Sequence, residues 1–403
     1  MTLPASLGPP AVEARRLVRR FGEVTAVDGL DLSVQPGEIF GLVGPDGAGK
    51  TTTLRVLAGV LPPSSGTAVV VGIDVAREPS RLRHRVGYVA QRFALYGDLT
   101  VAENVRFFAD AYGVGPSDRA ARAAELLAMA DLDRFRGRLA DHLSGGMKQK
   151  LALVCGLIHR PDVLFLDEPT AGVDPVSRRD LWRMLYRLQE GGLTVVLSTA
   201  YMDEAERCHR LALLSDGRVV AVGTPDDLRR RLPGAIVEVV LGETTPTSLR
   251  LARDAARRLP GVRGAQLFGD RLHVALARPD LIGDLAAALG STVPVASARP
   301  VEPTIEDVFL GLRDRSALLE AERTAAASPL RVPSGRGEGK GEGVPGGGGR
   351  PGPPLQDALT RRVPGARWAG WGTLSGSRVP ACGCGGERDQ GDGIRGAGSG
   401  GAP

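Results

Sequence analysis

The sequence predicts an α/β protein: a mostly parallel sheet wrapped by helices, an N-terminal antiparallel β subdomain, an inserted helical subdomain and a small C-terminal α+β domain. Three observations carry that prediction. The apolar runs VGYVA (86–90), VLFLD (163–167), LTVVLS (193–198) and LALLSDGRVVAVG (211–223) alternate with helix-like stretches, which suits strands buried on both faces. Between Thr100 and Pro161 the spacing is helical, as in ARAAELLAMADL, where apolar residues line one face. Residues 235–312 then change rhythm and run β-α-β-β-α, the order of a compact α+β unit.

The elements follow in turn. Residues 11–42 contain AVEARRLV, LDLSV and EIFGLVG, short β-like runs parted by polar turns and Pro36–Gly37. Strands and helices alternate from there to about residue 230, with helices over 92–160 inserted into the pattern. The last unit holds AIVEVVLG, the helical RLARDAARRL, GAQLFGDRLHVAL with a Gly-Asp turn, and DLIGDLAAAL, and it ends in VEPTIEDVFLGL.

At 403 residues the chain is long enough for more than one buried core, and 42% hydrophobic residues suit a folded protein. The net charge of +5 loses its meaning once located. From Arg331 to Pro403 there are 10 Arg and Lys against 6 Asp and Glu, which is +4 of the total. The remainder is close to neutral, so charge offers no argument for nucleic acid, and no specific nucleic-acid partner is expected. That final stretch holds 23 Gly and 8 Pro in 73 residues, too little apolar surface to offset the entropy of ordering. Disorder is expected for 1–10 and for the tail over 313–403. The tail has three readings: a linker, a nucleic-acid or membrane-surface binder through its Arg/Gly runs and Trp368–Trp371, or a frame lost after the EDVF segment. Of the four cysteines, Cys155 and Cys208 fall singly in predicted helices and Cys382 and Cys384 in the tail. That is neither a disulfide framework nor a zinc spacing, and a reducing cytosol is the simpler setting. No apolar run approaches the ~18 residues of a membrane span, and MTLPASLGPP lacks the regions of a secretory signal.

Three motifs carry chemistry. GPDGAGKTT (44–52) follows the strand EIFGLV and precedes a helix, the context in which a glycine-rich loop cradles phosphates. Gly44, Pro45, Asp46, Gly47, Ala48 and Gly49 form the loop, Lys50 reaches the β/γ-phosphates, and Thr51, followed by Thr52, brings a hydroxyl to Mg²⁺. VLFLDEP (163–169) places two carboxylates at a strand end. Asp167 is expected to bind Mg²⁺ and Glu168 to polarise the attacking water. LSGGMKQK (143–150) opens a helix with Ser144, Gly145 and Gly146, a second anion site that makes sense if it completes the phosphate site of another subunit.

Through these motifs, residues ~11–230 resemble the ATP-binding cassette (ABC) transporter ATPases, whose core is a RecA-like P-loop NTPase fold. The resemblance implies ATP and Mg²⁺ as ligands. It matches Gln91 of GYVAQ to the loop that senses Mg²⁺ and touches the membrane subunit, and Asp174 of AGVDP to the D-loop. Phe21 of RRFG, 29 residues before Lys50, is similar to the aromatic that stacks on adenine, an ordinary core Phe being the other reading. RFALYGDLTVAENV, SRRDLW, YMDEAE and PTIEDVFLGL resemble the ABC-2 exporter branch, and GPDGAGK with LSGGMKQKL is most similar to the first cassette of tandem-cassette ATPases.

One position departs from the family. Residue 200 is an alanine where most members have the histidine that contacts the γ-phosphate. His209, nine residues on, lies about 13 Å away if the intervening segment is helical, and His84, His142, His159 and His273 fall outside the strand-end region. The expected protein is an export ATPase, slow at this site, which pairs with a second cassette and with separate ABC-2 membrane permease subunits. It is expected in the cytoplasm, peripheral on the inner face of the bacterial membrane. The rivals are a ribosome- or DNA-associated cassette ATPase and a regulatory cassette that hydrolyses slowly or not at all.

Overall fold

The computed structural model describes residues 8–91 and 95–312. Residues 1–7 and 313–403, for which disorder is expected, and with them Cys382 and Cys384, lie outside the described residues. Two long antiparallel strands, β1 (Val12–Phe21) and β2 (Val24–Val34), open the chain. β3 (Ile39–Val43) is buried throughout and leads into α1 (Lys50–Leu57). β4 (Ser65–Val70) and β5 (Ile73–Asp74) then return to the first sheet, whose order is β2-β1-β4-β5. The sequence reading lacks these two strands, because the SSG lead-in of β4 has the composition of a loop. Pairing decides it: Gly66, at φ 78°, lies so close to the bulged β1 that a Cβ would sit 2.2 Å from the Arg16 carbonyl.

The chain continues through α2 (Pro79–Leu82), β6 (Val86–Val89), α3 (Val101–Ala111), α4 (Pro116–Met129), α5 (Gly145–Leu157), β7 (Val163–Asp167), α6 (Pro175–Glu190) and β8 (Thr194–Thr199). After them come α7 (Met202–Ala205), β9 (Arg210–Ser215), β10 (Arg218–Gly223) and α8 (Pro225–Arg230). The central sheet has the order β10-β9-β3-β8-β7-β6. Its pairings are parallel except at the β9–β10 edge, where LALLSDGRVVAVG folds into a hairpin at Asp216–Gly217.

Successive residues of the parallel strands face two different cores, as a period of two requires. Leu164, Leu166, Val195 and Leu197 pack with α3, α4, α5 and α6. Val163, Phe165, Val196 and Phe40 pack with α1 and the first sheet. Because β3, β7 and β8 are parallel, the loops after all three emerge along one edge of the sheet, and the 44–52 loop and the Asp167–Glu168 pair sit there.

The C-terminal unit comprises β11 (Ala235–Leu241), α9 (Pro246–Arg257), β12 (Val262–Phe268), β13 (Arg271–Leu276), α10 (Ile282–Gly290) and β14 (Val295–Val301). Its antiparallel sheet runs β12-β13-β11-β14. β14 is an addition to the β-α-β-β-α reading. VASARPV is mostly exposed and contains a proline, so it is legible only as an edge strand. Glu238 of β11 secures both neighbours, accepting from Arg271 of β13 and Arg299 of β14 at 2.8 Å each. Residues 305–312 are helical and leave this sheet: Ile305, Val308 and Phe309 bury against Leu211, Leu213 and Leu228. Among the described residues no helix is long and apolar enough to cross a membrane.

Cys208 corrects the sequence reading, since α7 ends at Ala205 and the cysteine lies in the turn before β9. Both it and Cys155 are free and buried. His159 is stacked on Tyr112 with ring centres 3.8 Å apart, and its Nε2 meets the Val86 carbonyl at 3.0 Å. Burial, with His84 as a lesser cause, pushes its pKa down to about 4. The unfolded chain therefore binds a proton in the window between about 4 and 6.5 that the native chain refuses, so stability falls as pH drops through it. At pH 5 this one group costs about 2 kcal/mol relative to pH 7.5. In His159→Phe, which retains the stack, the loss of stability between pH 7.5 and pH 5 measured by denaturant unfolding is expected to shrink by that amount.

Candidate active site

The 44–52 loop is shaped by two close backbone approaches. A Cβ on Gly44 would lie 2.3 Å from the Leu214 carbonyl, and one on Gly49 (φ 93°) would lie 2.3 Å from the Ala26 carbonyl. Only glycine fits where the loop leaves β3 and where it enters α1. Between them Pro45, Asp46 and Gly47 are exposed, while Ala48 is buried. Lys50 is buried, and its Nζ donates to the carbonyls of Gly44 (2.9 Å) and Pro45 (3.0 Å). Its carboxylate partner is Glu168, 3.3 Å away, with exposed Asp46 at 3.9 Å. Thr51 and Thr52 are half-buried in the first turn of α1.

Asp167 ends β7 with no solvent exposure. Its Oδ1 accepts from Thr51 and Ser198 at 2.8 Å each, and its Oδ2 accepts from Tyr88 at 3.3 Å. Three hydroxyls thus hold the carboxylate, and among the described residues no Lys, Arg or His pairs with it. Burial first, then the Asp167 charge, raises the Tyr88 phenol to about 12, so it stays a donor. Glu168 follows at φ 48°, a left-handed backbone that costs of order 1–3 kcal/mol in a non-glycine residue. Its amide donates to Ser198 Oγ (2.9 Å), and its Oε2 accepts from Gln91 Nε2 (2.7 Å). Ser198 therefore bonds the Asp167 carboxylate and the Glu168 backbone amide together. Neither it nor Tyr88 was singled out from sequence, where each reads as one more residue of a buried strand.

Thr51 and Asp167 supply a hydroxyl and a carboxylate 2.8 Å apart, an oxygen donor set that fits Mg²⁺. Among the described residues there is no cluster of three His, Cys, Asp or Glu able to hold a metal. Gln91 presents its amide nitrogen to Glu168.

The second motif lies apart from this loop. Ser144 caps α5, its hydroxyl accepting from the Met147 amide at 3.3 Å, and both Ser144 and Gly145 are exposed. Gly146 is buried because Ser177 stands over it: a Cβ there would meet Ser177 Oγ at 2.2 Å, with Asp174 Oδ2 at 3.6 Å. Asp174 caps α6 by accepting from the amides of Val176 (3.1 Å) and Ser177 (2.9 Å). Those bonds, the Ser177 amide foremost, lower its pKa. The first turns of α5 and α6 are thus locked together through Ser177. Phe21, at the end of β1, is 43% exposed, with Arg19 stacked on it at 4.5 Å.

Ala200 lies between Thr199 and Tyr201 at the end of β8. The estimate of His209's reach along a helix does not hold, since α7 is a single turn. His209 instead accepts from the Ile39 amide at 3.1 Å, at the opposite end of β3 from Gly44. His84 and His142 are exposed elsewhere, His159 is bound to Val86, and His273 to Asp307.

Residues 27–171 match the ABC transporter family, and residues 223–312 match a family described as ATP-binding protein DrrA1-3-like, C-terminal domain. "Probable multidrug ABC transporter ATP-binding protein YbhF" of Escherichia coli (strain K12) is 44% identical over 228 residues, 57% of this chain and 39% of that protein. The matched stretch therefore spans well under half of that relative's length. "Nod factor export ATP-binding protein I" of Paraburkholderia xenovorans (strain LB400) is 42% identical over 309 residues, 76% of this chain and 97% of that protein. A solved ATP-binding subunit of an ABC transporter superposes with a TM-score of 0.51 at 32% identity, covering 55% of this chain and 92% of its own.

The α5–α6 junction can be probed directly. Gly146→Ala is expected to destabilise by about 1–3 kcal/mol through overpacking against Ser177. Adding Ser177→Gly removes the obstruction and should return part of that loss, less about 1 kcal/mol for a helical glycine. Denaturant unfolding of the two variants checks both figures.

Proposed function

This chain belongs to the ABC transporter ATP-binding family, and on that premise we propose that it is the ATP-binding and hydrolysing subunit of an ABC-2 type export system. What supports this best is that two places along the chain suit an anion. One is built from Lys50, Thr51, Asp167 and Glu168, and the other opens α5 at Ser144–Gly146, whose neighbours are Met147, Ser177 and Asp174. A single nucleotide needs only the first, so the second is assigned to nucleotide held by another cassette. Two such chains, or this chain and a different cassette, would close over two ATPs.

In that reading Phe21 stacks on adenine, and Gly44 to Gly49 wrap the phosphates with backbone amides. Lys50 exchanges Glu168 for the β/γ-phosphates. Thr51 and Asp167, with Gln91, hold Mg²⁺, which neutralises phosphate charge when bound. Glu168, released from Lys50 and still bonded by Gln91, orients water toward the γ-phosphate. Asp174, Ser144 and Gly145 face the companion cassette. Transport itself belongs to separate permease subunits, docked near Gln91 and residues 92–105, which would keep this protein on the inner face of the membrane. Export is supported by similarity to the Nod factor export protein over nearly its whole length and by the DrrA1-3-like C-terminal match.

Ala200 makes this site a slow one. A missing hydrogen bond to a charged group is worth ~1.5–3 kcal/mol, or roughly 10–100-fold in rate. Ala200→His is therefore expected to accelerate single-turnover hydrolysis by that factor, and equal rates in the two chains would contradict it. Glu168→Gln should lower turnover by about 10²–10⁴-fold while Mg-ATP is still retained. Native turnover no higher than that of Glu168→Gln would leave a nucleotide-binding regulatory subunit instead of an enzyme.

A further inference from the structure

A carboxylate with no solvent exposure lies behind the loop that carries Ala200. Glu204, in the one-turn helix α7, is 0% exposed. Its Oε1 accepts from Thr170 Oγ1, in a short contact, and from Trp182 Nε1 at 3.4 Å. Its Oε2 accepts from Thr199 Oγ1 at 2.7 Å, and that same Thr199 hydroxyl accepts from the Tyr201 amide at 2.9 Å. Arg178 Nε stands 3.9 Å from Oε1 without a hydrogen bond, its guanidinium stacked on Tyr201 at 4.5 Å.

These contacts join three pieces of chain. Thr170 is two residues past Glu168, and its carbonyl accepts from Val173 in the turn that leads to Asp174. Trp182 and Arg178 lie on α6, which Asp174 caps. Thr199 and Tyr201 flank Ala200. One carboxylate therefore bonds to both sides of the candidate chemistry: the segment running from Glu168 to Asp174, and the loop after β8. A buried carboxylate is costly and could be replaced by apolar packing at little loss if stability alone were served. Here each oxygen is committed to a hydroxyl on a different loop, an arrangement suited to transmitting position.

We propose that Glu204 is a positioning residue for hydrolysis, which fixes the loop at residue 200 relative to Glu168 and to the Asp174 segment facing a second cassette. The proposal rests on the hydrolytic reading above. It implies that the histidine missing at 200 has left its scaffold in place, so that the loop's backbone is held without it.

The test uses the full chain with the isosteric variants Glu204→Gln, Thr170→Val and Thr199→Val. In nucleotide-free protein, amide hydrogen exchange of Ala171, Val173 and Tyr201 should rise together, tenfold or more, in Glu204→Gln, with β3 and residues 235–301 unchanged. In single-turnover hydrolysis, Glu204→Gln should lower kcat at least tenfold with KM for ATP within twofold of native. Thr170→Val and Thr199→Val should each lower kcat, and the double variant should lose no more than the larger single loss, because both act through one carboxylate. The proposal is overturned by unchanged kcat in Glu204→Gln, by losses that multiply in the double variant, or by exchange that rises equally everywhere. If Glu204→Gln does not fold, the threonine pair decides alone. Absence of turnover in the native chain would sink the hydrolytic reading, and the exchange measurement would still decide whether Glu204 ties the two segments together.

Discussion

Asp167 is an ionisable group placed at the end of a strand where no water reaches it. Taking a carboxylate out of water costs several kcal/mol unless hydrogen bonds replace the lost solvation. Thr51, Ser198 and Tyr88 provide those bonds from α1, β8 and β6. The requirement works in both directions, because those three elements can approach β7 only in the register that lets their hydroxyls meet it. The phosphate loop, the strand end and the neighbouring strands are thereby referenced to one oxygen pair. Lys50, also buried, is satisfied in the same way by two loop carbonyls and Glu168. The loop is therefore curled around the Lys50 ammonium.

A second set of constraints organises the face assigned to a companion cassette. Ser177 fills the space over Gly146, so the first turns of α5 and α6 cannot move independently. Glu204 in turn ties α6 to the loop after β8. Thr170, Glu204 and Trp182 form one hydrogen-bonded chain from the segment after Glu168 to α6, whose first turn Asp174 caps. The C-terminal helix adds a further tie, since Glu206 binds Arg229 and also accepts from the Ile305 amide at 3.3 Å. The small domain's final residues are thereby packed into the edge of the central sheet.

Much of this was legible in the residues themselves. Apolar runs of about five residues between helical stretches gave away the buried strands. The loop at 44–52, the Asp167–Glu168 pair and the Ser144–Gly146 helix start each combine residue types that have few other uses at that spacing. β4 and β14 were missed because their residues look like loop or exposed edge, and pairing with a neighbour makes them strands. Cys208 was misplaced because an acidic helix start gives no sign of where the helix stops.

Residue types and near spacing alone carried the expectations about chemistry: which side chains suit phosphate, metal and water, and that the side chain at 200 offers no hydrogen bond. That much is local, since it depends on residue type and near spacing. Which other groups hold those side chains is not local. Ser198, Tyr88 and Glu204 lie far along the chain from most of the residues they bond to, and each resembles any serine, tyrosine or glutamate until folding brings its partner within about 3.4 Å. Tertiary structure alone decided those pairings, because a hydrogen bond depends on distance and direction in space, and the order of residues along a chain leaves both undetermined.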